Sequence, residues 1–370
     1  MQFICDKALL TEAVMNVSRV IPSKSSIPAL EGVRIRAERN GTLLLTGYDM
    51  ESGITTTIEA NVQDPGEIVL SARLFAEMIR KMAGGDIFIS VGDKYLTEIK
   101  SGLTEFTILG SPADEFPELP EIEEDATVTL SQGALKSMVE QTIFAVATTD
   151  TKPVHTGALF DMKEKGLTMV CVDGYRLAMR HAGLEKTMDS SFVVPGKVLS
   201  EIAKLLKDSE EEQVDIRVGS RHIVFHIGRY SVISRLLEGD FLDYGASIPK
   251  GSTTEVKIDT RSLIESVERA SLLISDRLRS PLKVLFEDNK VKMSCSTSIG
   301  KFQDELTCVV NGPSVEMGFN NKYLLDALKA AGSDEVRIEI SGALSPIKVL
   351  PPEGDDYLFL VLPVRLRSEG

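Results

Sequence analysis

A strand–turn–helix phrase recurs three times in this chain at nearly constant spacing, and that repeat limits the folds open to it. The copies are IVLSARLFAEMIRKM at 68–82, FVVPGKVLSEIAKLL at 192–206 and MGFNNKYLLDALKAA at 317–331. Successive copies start 124 and 125 residues apart. Each has an apolar run, a short polar break, then apolar residues at helical spacing. A repeat of this length is domain-sized, far longer than the roughly 20–50 residues of a solenoid unit. The chain therefore reads as three tandem domains of one fold.

A second phrase keeps the same register. FICDKALLTEAVMNVSRVI from Phe3, TVTLSQGALKSMVEQTIFAV from Thr127 and EVKIDTRSLIESVERASLLI from Glu255 each read as a strand running into an amphipathic helix. Asp6, Ser131 and Asp259 stand where a helix needs a side-chain oxygen to accept its first free backbone N–H groups. Leu9, Leu10, Ala13, Val14, Val17 and Val20 form an apolar stripe in the first copy, matched by Leu135, Met138, Val139, Ile143 and Val146, then by Leu263, Ile264, Val267 and Leu272. Between the helices lie short alternating segments joined by hairpin chemistry at Asn40-Gly41 and Asp288-Asn289. The expectation is an α+β fold: three copies of a domain with two helices among about eight largely antiparallel strands.

Pro- and acid-rich residues 112–125, and ASIPKGSTT at 246–254, read as linkers. The domains are then expected at 1–122, 127–247 and 254–370.

Cys5, Cys171, Cys295 and Cys308 show no CxxC and no paired spacing, which argues against a disulfide framework or a structural zinc site. Asp6 and Glu12 interrupt what a signal peptide would need, and no apolar run approaches the length of a membrane span. A cytoplasmic protein is expected.

The net charge of −14 argues at first against a nucleic-acid partner. Its distribution is uneven. The helical segments 7–20, 72–82, 133–146, 196–207, 261–274 and 321–331 carry thirteen Lys or Arg against seven acids, a net of +6, which leaves −20 on the rest. Helices facing one way would present a basic surface on an acidic body, suited to phosphates without base readout. From charge alone a solvated helix face is the plainer explanation.

No phosphate-binding loop, dinucleotide fingerprint, nucleophile elbow or HExxH motif is present. His222 and His226 share a face of an alternating strand, where solvent exposure explains them better than a metal. His155 and His181 lack an acid–base partner at a telling spacing. Asp173 beside Gly174 suits a tight turn. No cofactor is expected.

The repeated phrases occur together with Val172-Asp173-Gly174-Tyr175-Arg176-Leu177-Ala178, Asp240-Phe241-Leu242-Asp243-Tyr244 and Leu362-Pro363-Val364-Arg365-Leu366. In that combination the chain resembles, over about its whole length, the bacterial sliding clamp family, the beta subunit of DNA polymerase III. The resemblance implies three copies of the DNA-clamp domain per subunit. It further implies a ring-forming homodimer with helices lining the pore and sheets outside, and a processivity factor without catalytic activity of its own. It gives the basic helix set a purpose: holding duplex DNA by weak contacts while a tethered polymerase works.

Three surfaces follow from the family match. Lys24, Arg73, Lys197, Asn320, Lys322 and Tyr323 are the implied sites of sequence-independent contact with double-stranded DNA. Val172, Gly174, Tyr175, Arg176, Leu177, Leu242, Ser247, Leu344, Pro346, Leu360, Leu362, Pro363, Val364 and Arg365 form the implied partner pocket, with His155 on an edge where an apolar residue is expected. That pocket should take short Gln-plus-apolar peptides of the replicative polymerase, clamp loader and repair proteins. Phe106, Ile108, Leu272 and Leu273 are the implied subunit joint. Residues 367–370 extend past the usual family end. Two rivals stay open: a peptide-binding scaffold that never encircles DNA, and an enzyme using Asp173 and Arg176.

Overall fold

The computed structural model describes residues 1–122, 126–149, 152–185, 189–274 and 280–366; the extension 367–370 lies outside them. The helices are α1 (Lys7–Val17), α2 (Ala72–Lys81), α3 (Gln132–Thr142), α4 (Gly196–Ala203), the short α5 (Tyr244–Ser247), α6 (Thr260–Ser271) and α7 (Asn321–Ala331). Both repeated phrases thus fold alike in all three copies. Asp6 accepts the N–H of Leu9 at 2.9 Å, Ser131 Oγ that of Ala134 at 3.1 Å, and Asp259 that of Ser262 at 2.7 Å. The three caps sit where the sequence places them.

The first helix of each copy stops short of the apolar pattern that predicts it. Ser18 Oγ donates to the Val14 carbonyl at 2.6 Å, Thr142 Oγ1 to Met138 at 2.7 Å, and Ser271 Oγ to Val267 at 2.7 Å. A hydroxyl bonded back one turn competes with the helical ladder. The chain then tightens into a 3₁₀ turn at Ser18–Val20 and again at Ile143–Ala145.

Two compact units are resolved, Met1–Leu135 with Lys197–Leu236, and Lys136–Gly196 with Leu237–Gly370. In the first, an eight-stranded sheet runs Ala126–Ser131, Gln213–Val218, His222–Ile227, Tyr230–Arg235, Ser52–Glu59, Thr42–Tyr48, Gly32–Glu38, Gly66–Ser71. Strands of the first and second repeats meet inside it, with Tyr230 opposite Thr56 and Ser234 opposite Ser52. A five-stranded sheet of the same unit ends on Thr104–Leu109. Phe3, Leu10, Val14, Phe75 and Ile79 pack the helices onto these strands, fully buried.

In the second unit a nine-stranded sheet joins the second and third repeats. Arg176 lies opposite Val361 and Arg180 opposite Tyr357. A four-stranded sheet ends on Gly300–Thr307. Every strand pairing in both units is antiparallel. Among the described residues the repeats contribute nine, eight and nine strands, close to the eight expected. Asp288 and Asn289 both adopt positive φ, 49° and 58°, as a two-residue hairpin turn requires.

The two linkers are more firmly held than their composition suggests. Phe116 is 3% exposed, under the Arg34 guanidinium at 5.9 Å, and Arg34 in turn binds Glu67 and Glu118, each at 3.0 Å. Leu119 lies so close to Gly53 that a side chain there would meet its Cδ2 at 2.8 Å. Tyr244 and Ile248 pack on the core of the second unit, and Tyr244 donates to Asp161 at 2.6 Å. Among the described residues no helix is long and apolar enough to cross a membrane.

Phe116→Ala tests whether residues 112–122 are structural. Removing a buried phenyl ring is expected to cost about 3–5 kcal/mol. Denaturant unfolding of variant and parent should show that loss; a change within error would return the segment to a free tether.

Candidate partner pocket, helix faces and free strand edges

The pocket begins at a turn. Strand Gly166–Val172 ends, and Gly174 takes a φ of +89°, which a side chain would strain. Asp173 Oδ1 accepts the N–H of Tyr175 at 2.9 Å and of Arg176 at 3.0 Å, fixing the turn. Asp173 Oδ2 accepts from Arg176 Nε at 2.9 Å, and Asp326 on α7 accepts from Arg176 Nη1 at 2.5 Å. The same guanidinium lies 4.7 Å from the Tyr323 ring and 5.4 Å from that of Phe144. Two carboxylates and two rings thus hold one buried cation, so Asp173 and Arg176 are structural partners.

Tyr175, 60% exposed, stacks on Tyr323 with ring centres 5.7 Å apart. Burial and the nearby Asp173 carboxylate push the Tyr323 hydroxyl pKa up. The Leu362 N–H donates to the Tyr175 carbonyl at 3.0 Å, and that of Val364 to Gly318 at 2.8 Å. These bonds fix the C-terminal segment as a wall of the site. Gly174, Tyr175, Asn320, Lys322, Tyr323 and Leu362 to Val364 line a cavity of about 1020 Å³ that continues to Ser271 and Ile274.

A buried apolar cluster lies within the same unit. Val172, Leu177 and Leu360 are buried with Val154, Leu350 and Leu358, and Phe241, Tyr244 and Leu237 pack against them. His155 meets the Phe241 ring edge-on at 5.4 Å. Burial, aided by Lys152, lowers its pKa, so the imidazole is neutral near pH 7 and offers a largely apolar edge.

Not all expected pocket residues converge. Val172, Leu177 and Leu360 are buried in the apolar cluster, whereas Gly174, Tyr175, Leu362, Pro363 and Val364 line the rim of the cavity. Leu242 is 40% exposed beside Phe241, and Ser247 donates to the Asp243 carbonyl at 3.4 Å. Leu344, 73% exposed, and Pro346 lie in a turn before Ile347–Leu350, and Arg365 is exposed past the rim. Sequence reasoning missed Asp326, Phe144, Val154 and Leu237; Asp326 reaches Arg176 from α7 and Phe144 from the 3₁₀ turn after α3.

The residues expected at DNA divide. Lys24, Arg73 and Lys197 are exposed, Arg73 in the first turn of α2, and Lys197 donates to Asp49 at 3.2 Å. Asn320 caps α7 by accepting the N–H groups of Lys322 and Tyr323. Asn320, Lys322 and Tyr323 also line the cavity, so this group and the partner pocket share one place. Among the described residues at least eight of the thirteen helix cations bind a carboxylate, among them Arg19 to Glu201, Lys207 to Glu212 and Arg269 to Asp304.

At the two sheet edges, Phe106 is half-buried and Ile108 8% exposed on Thr104–Leu109, while Leu109 is 72% exposed. Leu272, at the end of α6, is 81% exposed; Leu273 is half-buried near Gly300. His222 and His226 share a strand face as expected, and the described residues contain no group of three or more potential metal ligands.

Models of the N-terminal, central and C-terminal domains of the DNA polymerase III beta subunit match residues 1–120, 129–243 and 246–365. The beta sliding clamp of Bacillus subtilis strain 168 is 34% identical over 378 residues, covering 99% of this chain and all of that protein. That of Staphylococcus aureus is also 34% identical, covering 99% of each. A crystal structure of the Bacillus subtilis DNA polymerase sliding clamp superposes with a TM-score of 0.94 at 33% identity, covering 99% of this chain and all of that one. A Pseudomonas aeruginosa clamp bound to griselimycin superposes with a TM-score of 0.93 at 28% identity over the same shares.

Arg176→Leu removes the shared cation and leaves Asp173 and Asp326 facing one another without it. Breaking such a buried pair is expected to cost about 3–5 kcal/mol in unfolding free energy. Arg176→Lys should restore only part of it, since an ammonium cannot bridge both carboxylates and cover two rings. Parent-like stability of Arg176→Leu would show the cluster to be incidental.

Proposed function

The chain belongs to the DNA polymerase III beta subunit family, the beta sliding clamps, and from that premise we propose that two copies close head to tail around duplex DNA. The closed ring tethers the replicative polymerase and other partners for processive synthesis in the cytoplasm. The three clamp domains are placed at 1–122, 127–247 and 254–370. One observation carries the dimer: the sheets of the two units end on strands Thr104–Leu109 and Gly300–Thr307, each beside exposed apolar side chains. An edge strand of this kind invites pairing with another chain. A heterologous contact that closes on itself gives a ring. Phe106, Ile108, Leu272 and Leu273 are assigned to that joint.

DNA is held by topology and by weak ionic contacts, with Lys24, Arg73, Lys197, Asn320, Lys322 and Tyr323 as the first candidates. The pocket takes Gln-plus-apolar peptides from polymerases, the loader and repair proteins in turn. The exposed Tyr175, Leu362 and Val364, which line the cavity, support this: they offer an apolar anchor contact area with polar backbone beside it. The protein acts without chemistry of its own. The engagement of both Asp173 and Arg176 in structural pairs supports that reading.

Leu272→Asp tests the joint at a side chain that the subunit itself leaves exposed. A charge buried between subunits should cost several kcal/mol. Sedimentation is expected to show a dimer for the parent and a folded monomer for the variant. A parent that sediments as a monomer at micromolar concentration would contradict the ring.

Leu362→Ala with Val364→Ala tests the pocket. Calorimetry with a polymerase-derived Gln-plus-apolar peptide should show affinity reduced at least about ten-fold, matching losses of about 2 kcal/mol at interface anchors. The dimer should persist. Unchanged peptide affinity would move the pocket elsewhere.

A further inference from the structure

One face of the eight-stranded sheet in the first unit carries two neighbouring cross-strand rows. One runs Arg217, Val224, Ile233 and Gly53, the other His226, Ser231 and Thr55. Residues two apart on a strand share a face, so both rows point the same way. Leu119, Pro120 and Ile122 of segment 112–122 border these rows, and together they line a cavity of about 250 Å³.

The second pairing between repeats shows why space is left here. Ser231 faces Thr55 two positions along from Ile233 and Gly53. At the second pairing, Leu358 faces Met179 two positions along from Leu360 and Leu177. There the long side chains fill the space: Leu358 and Leu360 are buried, and Met179, Tyr244 and Ile248 pack against their cluster. At the first pairing two short hydroxyl side chains stand in place of Leu358 and Met179. The unfilled volume keeps an apolar side, Leu119, Pro120, Ile122 and Val224, and a polar side, Thr55, Ser231 and His226.

Arg217, exposed on its strand, brings a guanidinium to the border of the cavity. Its planar fork of N–H donors matches a carboxylate with two parallel bonds. Arg217 and His226 also interact within the protein, so a ligand shares them. None of the described residues that line the cavity is acidic. Asp215, opposite His226, accepts from Thr129 at 2.8 Å and does not line it. Apolar walls with a few convergent polar groups are the usual make-up of a small-molecule site. The volume is below the roughly 300–1,000 Å³ of sites for drug-sized ligands, so the occupant is small.

We propose that this cavity binds a small carboxylic acid with an apolar body of about one aromatic ring. The carboxylate lies on Arg217, with the Ser231 and Thr55 hydroxyls and His226 beside it. The body lies against Leu119, Ile122 and Val224, and so ties the end of segment 112–122 to the sheet.

The test uses full-length protein labelled at Ile, Leu and Val methyl groups, titrated with benzoate and followed by NMR. Methyl signals of Leu119, Ile122, Val224 and Ile233 should move together and saturate, with a dissociation constant on the order of 1 mM for so few ligand atoms. Benzyl alcohol keeps the ring and lacks the charge; it should bind at least about ten-fold more weakly. Arg217→Gln should weaken benzoate by at least about ten-fold as well. Ser231→Leu with Thr55→Met installs the side chains of the second pairing and should abolish the shifts, with the rest of the spectrum like the parent's. Should that filled variant lose its fold, Arg217→Gln decides alone. Shifts that never saturate or that scatter over the surface would overturn the site. Equal binding of benzyl alcohol, or parent-like benzoate affinity in Arg217→Gln, would overturn the assignment of a carboxylate.

Discussion

Backbone pairing across the boundaries between repeats is the constraint on which the structure depends. Strand Tyr230–Arg235 pairs with Ser52–Glu59, and Arg176–Gly183 with Tyr357–Val361. A slip of one residue in either pairing would turn every side chain to the opposite face. At the second of these pairings the register sets Leu177 opposite Leu360, and both enter the same buried apolar cluster. The buried cluster is therefore a product of the pairing between repeats, and neither repeat contains it alone.

The same frame occurs at the first pairing with different side chains. Asp49 fixes a turn by accepting the N–H groups of Glu51 and Ser52, as Asp173 does for Tyr175 and Arg176. Arg235 N–H donates to the Glu51 carbonyl at 2.8 Å, as Leu362 does to Tyr175 at 3.0 Å. Glu51 and Arg235 stand where the second frame has Tyr175 and Leu362, and their side chains pair at 3.7 Å. Leu119 of the linker also covers Gly53 there. The first frame carries a charged pair where the second exposes apolar side chains.

Much of the fold was legible because its signals are local. The caps Asp6, Ser131 and Asp259, the hairpin turn at Asp288-Asn289 and the apolar stripe of α1 depend on neighbours within a few residues. The early helix ends escaped notice because the apolar pattern runs on past Ser18, Thr142 and Ser271, while a hydroxyl bond decides the matter. Phe116 was hidden inside a Pro- and acid-rich stretch whose composition says linker; its partner Arg34 lies far away in sequence. The site was legible only in part for the same reason. The chain near Asp173 announces a turn, but the clasp of Arg176 by Asp326 spans 150 residues. The overlap of Asn320, Lys322 and Tyr323 with the partner cavity likewise appears only once α7 is placed beside Tyr175.

The central claim is encirclement, and circular DNA tests it most directly. The protein is loaded onto a nicked circle by a clamp loader with ATP, moved into salt that abolishes ionic binding, and the circle is then cut once. Fluorescently labelled protein should remain on the intact circle and leave within the time needed to slide off after the cut. Equal retention on cut and uncut DNA, or equal loss from both, would contradict a ring around the duplex.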